Sequence, residues 1–356
     1  MEYPPVSVVM PVRNEERHLA ESVRHVLAQD YPGPLEVVLA VGPSADRTEQ
    51  IARDLAASEP RITVVANPTG RIPAALNAAV AAARHAIIAR VDGHALLPPG
   101  YLAATVAALR QTGAADVGGV MAAAGVTPFQ QAVAWGMTSK AGVGSAAFHT
   151  GGGAGPTLSV YLGVYRREAI EQAGGWDEEM LRAEDWELNY RIRARGDVIW
   201  FIPEVRVTYR PRGSVRALGA QYFHYGRWRR VIVREHPETA SFRYLAPPGA
   251  AALTGAGLAA GLAGLAGIAA GSPQTGWLTA ALVIPLSYAA GITAVSAALS
   301  RGLPGRVRIQ VPLVLGTMHM CWGTGFLTSP RTLHRSREPD AHVRSASPHG
   351  RADARQ

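Results

Sequence analysis

The stretch from Pro247 to Thr328 limits what this chain can fold into, because it is almost free of charge. Its only charged side chains are Arg301, Arg306 and Arg308. A helix needs ~20 residues to cross the ~30 Å hydrocarbon core of a bilayer. The stretch holds three apolar segments of about that length, at about 248–271, 277–299 and 309–328. We therefore expect a domain over 1–245 and a membrane region over 246–328 with two or three helices.

The number of spans is linked to their orientation. We expect a multi-pass protein of the cytoplasmic membrane whose first domain faces the cytoplasm. Three spans would then place the tail 329–356, which is expected to be disordered and holds six arginines, outside the cell. That arrangement conflicts with the positive-inside rule. Either one candidate is re-entrant or interfacial, which leaves two spans, or the tail is an exception to the rule. The cationic segment 206–243 suits anionic membrane lipids, and no metal-finger or basic-aromatic pattern indicates nucleic acid.

Strand and helix patterns alternate through the first half of the chain. The strands are predicted at Ser7–Val12, Leu35–Val41, Ile62–Ala66 and Ala86–Val91. Helices follow the first three of them, and Asn14 and Ser44 are predicted to be N-caps. Such alternation is typical of an α/β fold with a mostly parallel sheet covered on both faces. Ligands bind such sheets at the carboxyl ends of the strands.

The fourth strand ends in an acid and a histidine, in the sequence IIARVDGH (87–94). In an extended turn, Asp92 and His94 point the same way, so both can face one ion. A carboxylate and an imidazole suit Mn²⁺ or Mg²⁺ when diphosphate oxygens complete the coordination. The alternative is an ordinary polar turn.

Two further segments carry candidate residues. In EDWEL (184–188), Glu184 and Asp185 are predicted in the first turn of a helix, where the helix dipole favours an ionised proton acceptor. They could also be ordinary N-terminal stabilisers of that helix. In QYFHYGRWRR (221–230), Arg227 could hold a diphosphate and Trp228 could stack on a ring. The same segment, about 214–235, also reads as an amphipathic helix on the membrane surface.

Four motifs in this order resemble those of the family 2 glycosyltransferases. They are SVVMPVRNEE (7–16), LEVVLAVGPSADRT (35–48), IIARVDGH and GVYRREAIEQAGGWDEEMLRAEDWEL (163–188). More narrowly, they resemble the membrane-anchored succinoglycan-type (exopolysaccharide) glucosyltransferases of that family. The resemblance covers about residues 5–230 and implies a GT-A fold followed by transmembrane helices.

The resemblance also implies an activity and its residues. The expected enzyme is inverting and metal-dependent, and it moves one sugar from a nucleoside diphosphate sugar to an acceptor, expected to be a lipid-linked saccharide, in exopolysaccharide or cell-envelope synthesis. Asp185 would be the catalytic base. Asp92 and His94 would hold Mn²⁺ or Mg²⁺. The expected nucleotide-sugar contacts are Pro11, Val12, Arg13, Glu15, Val41, Asp46, Asn77, Asp92 and Gly93. The expected acceptor contacts are Glu184, Trp186, Arg227 and Trp228.

The chain departs from the family pattern at three places, which leaves alternatives open. Val41 stands where the family usually has an acidic residue that recognises the nucleobase, and Asp46 is nearby. His94 stands where the metal-binding motif usually has an aspartate. The Gln-x-x-Arg-Trp motif of processive synthases is replaced by His224-Tyr225-Gly226-Arg227-Trp228, which favours a single transfer over a processive synthase. A catalytically degenerate scaffold or nucleotide-sugar sensor is the other alternative. A nucleotidyltransferase would normally need a Gly-rich phosphate loop with Lys or Arg after the first strand. It is disfavoured because Arg13-Asn14-Glu15-Glu16 at that place is mostly acidic.

Overall fold

The computed structural model describes residues 3–333. The strands are Val6–Val12 (β1), Leu35–Val41 (β2), Ile62–Ala66 (β3), Ile87–Arg90 (β4), Asp116–Ala123 (β5), Gly155–Thr157 (β6), Tyr161–Arg166 (β7) and Ile199–Tyr209 (β8). Most of the tail predicted over 329–356 lies outside the described residues.

Fourteen α-helices are present within residues 3–333. They are Leu19–Leu27 (α1), Thr48–Ser58 (α2), Ile72–Ala82 (α3), Tyr101–Thr112 (α4), Pro128–Thr138 (α5), Lys140–Val143 (α6), Ala147–Thr150 (α7), Arg167–Gln172 (α8), Glu184–Ala194 (α9), Val215–Glu235 (α10), Phe242–Ala269 (α11), Val283–Leu299 (α12), Gly305–Arg308 (α13) and Val311–Leu327 (α14). Two 3₁₀ helices lie at Pro237–Thr239 and Pro273–Leu282.

The eight strands form one mixed sheet in the order β3-β2-β1-β4-β7-β5-β8-β6. The neighbours from β3 to β4 are parallel, and β7 runs antiparallel to both β4 and β5. Side chains of β1 alternate between two cores, since Val8 and Met10 pack on one face and Val9 on the other. The predicted α/β sheet, buried on both faces, is confirmed, including its first four strands.

The two predicted N-caps are wrong, because both residues belong to turns that precede their helices. Helix α1 begins only at Leu19, and Asn14 has a left-handed backbone with φ 55°. The Asn14 Oδ1 accepts a hydrogen bond from the Ala45 amide at 2.8 Å, and the Asn14 amide donates to the Ser44 hydroxyl at 3.1 Å. The polar side chains therefore tie the turn after β1 to the turn after β2.

Helix α10 packs closely along α14, and glycines set the distance between them. A Cβ on Gly226 would collide with the Trp322 carbonyl, and one on Gly325 would collide with the Phe223 carbonyl. Val311, Val314, Leu315 and Met318 of α14 are buried in an apolar cluster shared with α5 and α10. The apolar face of segment 214–235 thus packs against α14. At 17 residues, α14 is also shorter than a usual membrane span.

Within residues 3–333, two helical stretches are long and apolar enough to cross a membrane, Phe242–Ala269 and Pro273–Leu299. They correspond to the first two predicted spans. The first one contacts the second through Gly257, Gly261 and Gly264, where a Cβ would meet atoms of Ala281, Leu282 and Thr279. Small residues at such a contact are typical of helices that associate in a bilayer.

Candidate functional site

A cavity of about 1900 Å³ opens at the carboxyl ends of β1, β3 and β4. Its far wall is formed by α5–α7, the start of α9, α10 and the first turns of α11. Eleven of the predicted site residues line it. They are Pro11, Val12, Arg13, Glu15, Asp92, Gly93, His94, Glu184, Asp185, Trp186 and Trp228.

A buried arginine at the end of β4 gathers the predicted acidic residues. Arg90 is 5% exposed, and its Nη2 lies 3.2 Å from Asp92 Oδ1 and 3.1 Å from Glu184 Oε1. Its Nη1 is paired with Asp185 Oδ2. Three carboxylates from two distant segments therefore share one guanidinium. We call these four residues the carboxylate cluster.

Asp185 is fixed from a second side. The indole Nε1 of Trp176, which is fully buried, donates a hydrogen bond to Asp185 Oδ1 at 3.0 Å. Both acids lie in the first turn of α9, as predicted, and that helix starts after Ala183, whose φ of 61° is rare for a residue with a Cβ. Burial raises the pKa of Glu184 to about 7, against the opposing effect of Arg90.

The geometry of His94 fits a metal ligand. Its Nδ1 lies 2.7 Å from Glu15 Oε1, which leaves Nε2 as the nitrogen that can coordinate an ion. A carboxylate bound to the other ring nitrogen is the usual partner of a metal-ligating histidine. Within the described part of the chain, no three histidine, cysteine or acidic side chains are grouped to hold a metal by themselves. Asp92 and His94 would therefore need oxygens from a ligand.

Arg13 and Gly93 shape the part of the cavity beside β1. The Arg13 guanidinium donates to the carbonyls of Pro43, at 3.1 Å, and Gly70, at 3.4 Å, so it joins the loops after β2 and β3. Gly93 lies close to β1, since a Cβ there would come within 3.1 Å of both Glu15 and Val12 side chains. A larger side chain would press on the residues that precede α1.

The four other predicted residues, Val41, Asp46, Asn77 and Arg227, do not line the cavity. Asp46 accepts hydrogen bonds from the Thr48 amide and hydroxyl, at 3.0 and 2.5 Å, and thus holds a turn. The Asn77 amide group bonds both the carbonyl and the amide of Trp176. The Arg227 guanidinium lies over the Phe223 ring, 5.7 Å from its centroid.

Sequence reasoning missed Arg90, Trp176 and Arg229. Arg90 stands inside an apolar run, and a buried arginine is rare unless it is paired, so a signal was present. Arg229 lines the cavity although the predicted Arg227, two residues earlier, does not. Which arginine of the run RWRR faces inward depends on how α10 packs against α14.

The chain is similar to known proteins in sequence and in fold. The profile of Glycosyl transferase family 2 matches residues 7–174. The chain is 31% identical to the succinoglycan biosynthesis protein ExoA of Rhizobium meliloti (strain 1021) over 321 residues, which are 90% of this chain and 93% of that protein. Among solved structures it is similar to the mannosyltransferase PcManGT of Pyrobaculum calidifontis, solved with GDP-Man and Mn²⁺. That match has a TM-score of 0.58 and 19% identity, over 92% of this chain and 88% of the other.

The structural likeness establishes the fold, which is GT-A, and the relative of nearly equal length establishes the family. This chain belongs to glycosyl transferase family 2, and it is a glycosyltransferase.

Proposed function

We propose that the enzyme transfers one sugar, with inversion, from a nucleoside diphosphate sugar to a lipid-linked saccharide during exopolysaccharide synthesis. The observation that carries this proposal is the carboxylate cluster, in which Arg90 holds Asp92, Glu184 and Asp185 at one end of a cavity. In this proposal Asp185 is the proton acceptor and Asp92 is the carboxylate on the donor side. The relative from Rhizobium meliloti is named for succinoglycan biosynthesis, which supports an exopolysaccharide product.

Asp185 acts as the general base. Trp176 and Arg90 each engage one of its oxygens, so the carboxylate is oriented before the acceptor arrives. It takes the proton of the acceptor hydroxyl while that oxygen bonds to the anomeric carbon. The bond from this carbon to the phosphate oxygen breaks on the opposite face, and the nucleoside diphosphate leaves with that electron pair. Attack opposite to the leaving group inverts the anomeric configuration.

Asp92 and His94 would hold a divalent cation, Mn²⁺ or Mg²⁺, together with oxygens of the donor diphosphate. Such an ion neutralises the negative charge that develops on the leaving diphosphate. Glu15 orients His94 through the Nδ1 hydrogen bond. The structurally similar mannosyltransferase was solved with GDP-Man and Mn²⁺, which supports both the donor class and the ion.

A lipid-linked acceptor fits the position of the cavity. Its wall includes Trp186, beside the base, and also Tyr244 and Pro247 at the start of the first apolar span. An acceptor whose lipid stays in the bilayer can reach the base from this side. We infer that residues 3–240 face the cytoplasm, where nucleoside diphosphate sugars are made.

The test is Asp185→Asn in the purified full chain. We expect transfer of labelled sugar into a lipid extract to fall by about 10²–10⁴-fold, since a positioned base contributes about that much. The heat-stability shift caused by a nucleotide-sugar with Mn²⁺ should stay, because the donor and the ion are expected at Asp92 and His94. The single amide oxygen of Asn can keep the contact with Trp176 or with Arg90, but not both. Asp197→Asn, which alters an acid paired with Arg166 on the surface, is the matched control. Near-normal transfer by Asp185→Asn would show that Asp185 is not the catalytic base.

A further inference from the structure

A group of cationic and aromatic side chains lines the far wall of the same cavity. Arg229 of α10 is 7% exposed, and its guanidinium carbon lies 4.2 Å from the Trp186 ring centroid and 4.0 Å from that of Tyr244. Arg243, on the first turn of α11, lies over the Tyr244 ring as well, at 5.1 Å. We call Arg229, Arg243 and His149, with the two rings, the cation cluster.

Arg229 lacks the partners that a buried arginine normally has. Within residues 3–333 it forms no ion pair, and its Nε and Nη1 are buried without a hydrogen-bond acceptor. Burial lowers the pKa of Arg229 to about 10, with a further contribution from the charge of Arg243. Aromatic faces attract a cation but accept no strong hydrogen bond from it. The guanidinium therefore lies at the cavity wall with two nitrogens that no described side chain pairs.

His149 of α7 adds a third nitrogen group to this wall. Its Nδ1 is buried and has no partner among the described residues. Burial, followed by the charge of Arg243, lowers the pKa of His149 to about 3, so the imidazole is neutral and can donate one N–H. Arg243 also packs against Gly144, in the loop between α6 and α7. Three elements thus present nitrogen donors to one cavity, and no carboxylate pairs with them in the part of the chain described.

We propose that Arg229, Arg243 and His149 bind the diphosphate that joins the acceptor saccharide to its lipid, an inference that rests on the proposed function. The order of groups along the wall supports it. The base Asp185 is followed by the ring of Trp186, then by Arg229, and then by Tyr244 on the first apolar span. A lipid-linked acceptor has the same order: reactive hydroxyl, sugar rings, diphosphate and hydrocarbon chain.

Two other anions are less suited to this place. The donor diphosphate belongs near Asp92 and His94, whereas Arg229 contacts Trp186 and Tyr244. A phospholipid headgroup at the membrane surface would be met by exposed cations, and Arg229 is almost fully enclosed. Arginine forks bind diphosphate oxygens in pairs, which suits a wall that carries two guanidinium groups.

The experiment measures binding of decyl diphosphate to the full chain in neutral detergent by titration calorimetry, beside binding of UDP and GDP with Mn²⁺. We expect Arg229→Gln to weaken decyl diphosphate binding at least tenfold and to leave nucleotide affinity within about twofold. The matched control is Arg230→Gln on the same helix, whose guanidinium lies over Phe326 and does not line the cavity. It should change neither affinity. Arg243→Gln gives a second, independent loss of decyl diphosphate binding if Arg229→Gln does not fold.

Three outcomes would overturn the subsite. They are unchanged decyl diphosphate binding in both variants, a loss of nucleotide affinity in place of the lipid probe, or equal displacement of the probe by phosphatidylglycerol vesicles. Unchanged binding would show that the arginines do not bind the lipid diphosphate. Lost nucleotide affinity would show that they bind the donor diphosphate. Equal displacement by the vesicles would show that the site binds phospholipid headgroups. Failure of the proposed function is separate, because it would show as normal transfer by Asp185→Asn or as absent nucleotide binding in the unaltered chain.

Discussion

The two charged clusters of the cavity differ in how their charges are compensated. In the carboxylate cluster, three acids share Arg90, and every one of these carboxylates has a cationic partner within the protein. In the cation cluster, Arg229 and Arg243 lie near each other without an acid, counting only the described residues. The first is organised by the chain itself, and the second has its donors ready for an anion that a ligand must bring. Loss of the arginine should therefore destabilise the protein strongly at the carboxylate cluster and only slightly at the cation cluster.

The largest effect is expected from Arg90→Gln. This change leaves Asp92, Glu184 and Asp185 close together without their shared cation, and removal of one partner from a buried ion pair costs roughly 3–5 kcal/mol. The free energy of unfolding of the detergent-solubilised chain, followed by circular dichroism, should fall by about that amount. Transfer should be lost as well, because Asp185 loses one of its two orienting contacts.

Arg166→Gln is the matched control for this change. Arg166 pairs with Asp197 at 3.2 Å, but its side chain is 41% exposed, and exposed pairs contribute less than about 1 kcal/mol. Equal losses of stability in the two variants would contradict the central position that we assign to Arg90.

An intermediate effect is expected on the pH dependence of stability. The pKa of Glu184 is raised to about 7 by burial, while an unfolded glutamate titrates near 4.5. The folded state then holds this proton to higher pH than the unfolded state, so stability falls as pH rises from about 4.5 to about 7. Glu184→Gln cannot ionise, and its oxygen can still accept from Arg90. The variant should gain stability relative to the unaltered chain across that window and show no further gain above it.

The melting temperatures of the unaltered chain and of Glu184→Gln, measured between pH 4 and pH 8, test this predicted change of stability with pH. Glu168→Gln alters an exposed glutamate on α8 and provides the comparison. A constant difference between Glu184→Gln and the unaltered chain over the whole range would show that Glu184 titrates normally and that its environment is not as desolvated as its burial indicates.

The same contrast explains how much could be predicted from the sequence. Strands β1–β4 and the acids after β4 and at the start of α9 were predictable, because each depends on a local pattern of apolar and polar residues. Arg90 was not recognised, since its partners Glu184 and Asp185 lie more than 90 positions away in the chain. Residues 113–163 show no clear period, yet they form β5, α5–α7 and β6, and α7 supplies His149 to the cation cluster.

The choice between Arg227 and Arg229 shows the same limit at the level of one helix. The two residues are 200° apart around α10 at 3.6 residues per turn, so only one of them can face the cavity. The rotation of α10 about its axis is set by the contact of Gly226 with α14, which is distant in the sequence. The local sequence RWRR carries no signal for it, because all three of its arginines are equally cationic.

The smallest effect on stability is expected from Arg229→Gln, and it sharpens the comparison most directly. The substitution removes contacts with two aromatic rings, each cation–π contact contributing roughly 0.5–2 kcal/mol. It also removes a buried cation that has no acid beside it, and this second change favours the folded state. The two terms oppose each other, so the free energy of unfolding should change by less than about 1 kcal/mol, measured as for Arg90→Gln. Adding decyl diphosphate should then stabilise the unaltered chain but not the variant, since a ligand raises stability only through the folded state that binds it. A loss as large as that of Arg90→Gln would instead show that Arg229 holds α10 to α11 as a structural residue. In that case the cation cluster would already be complete without an anion.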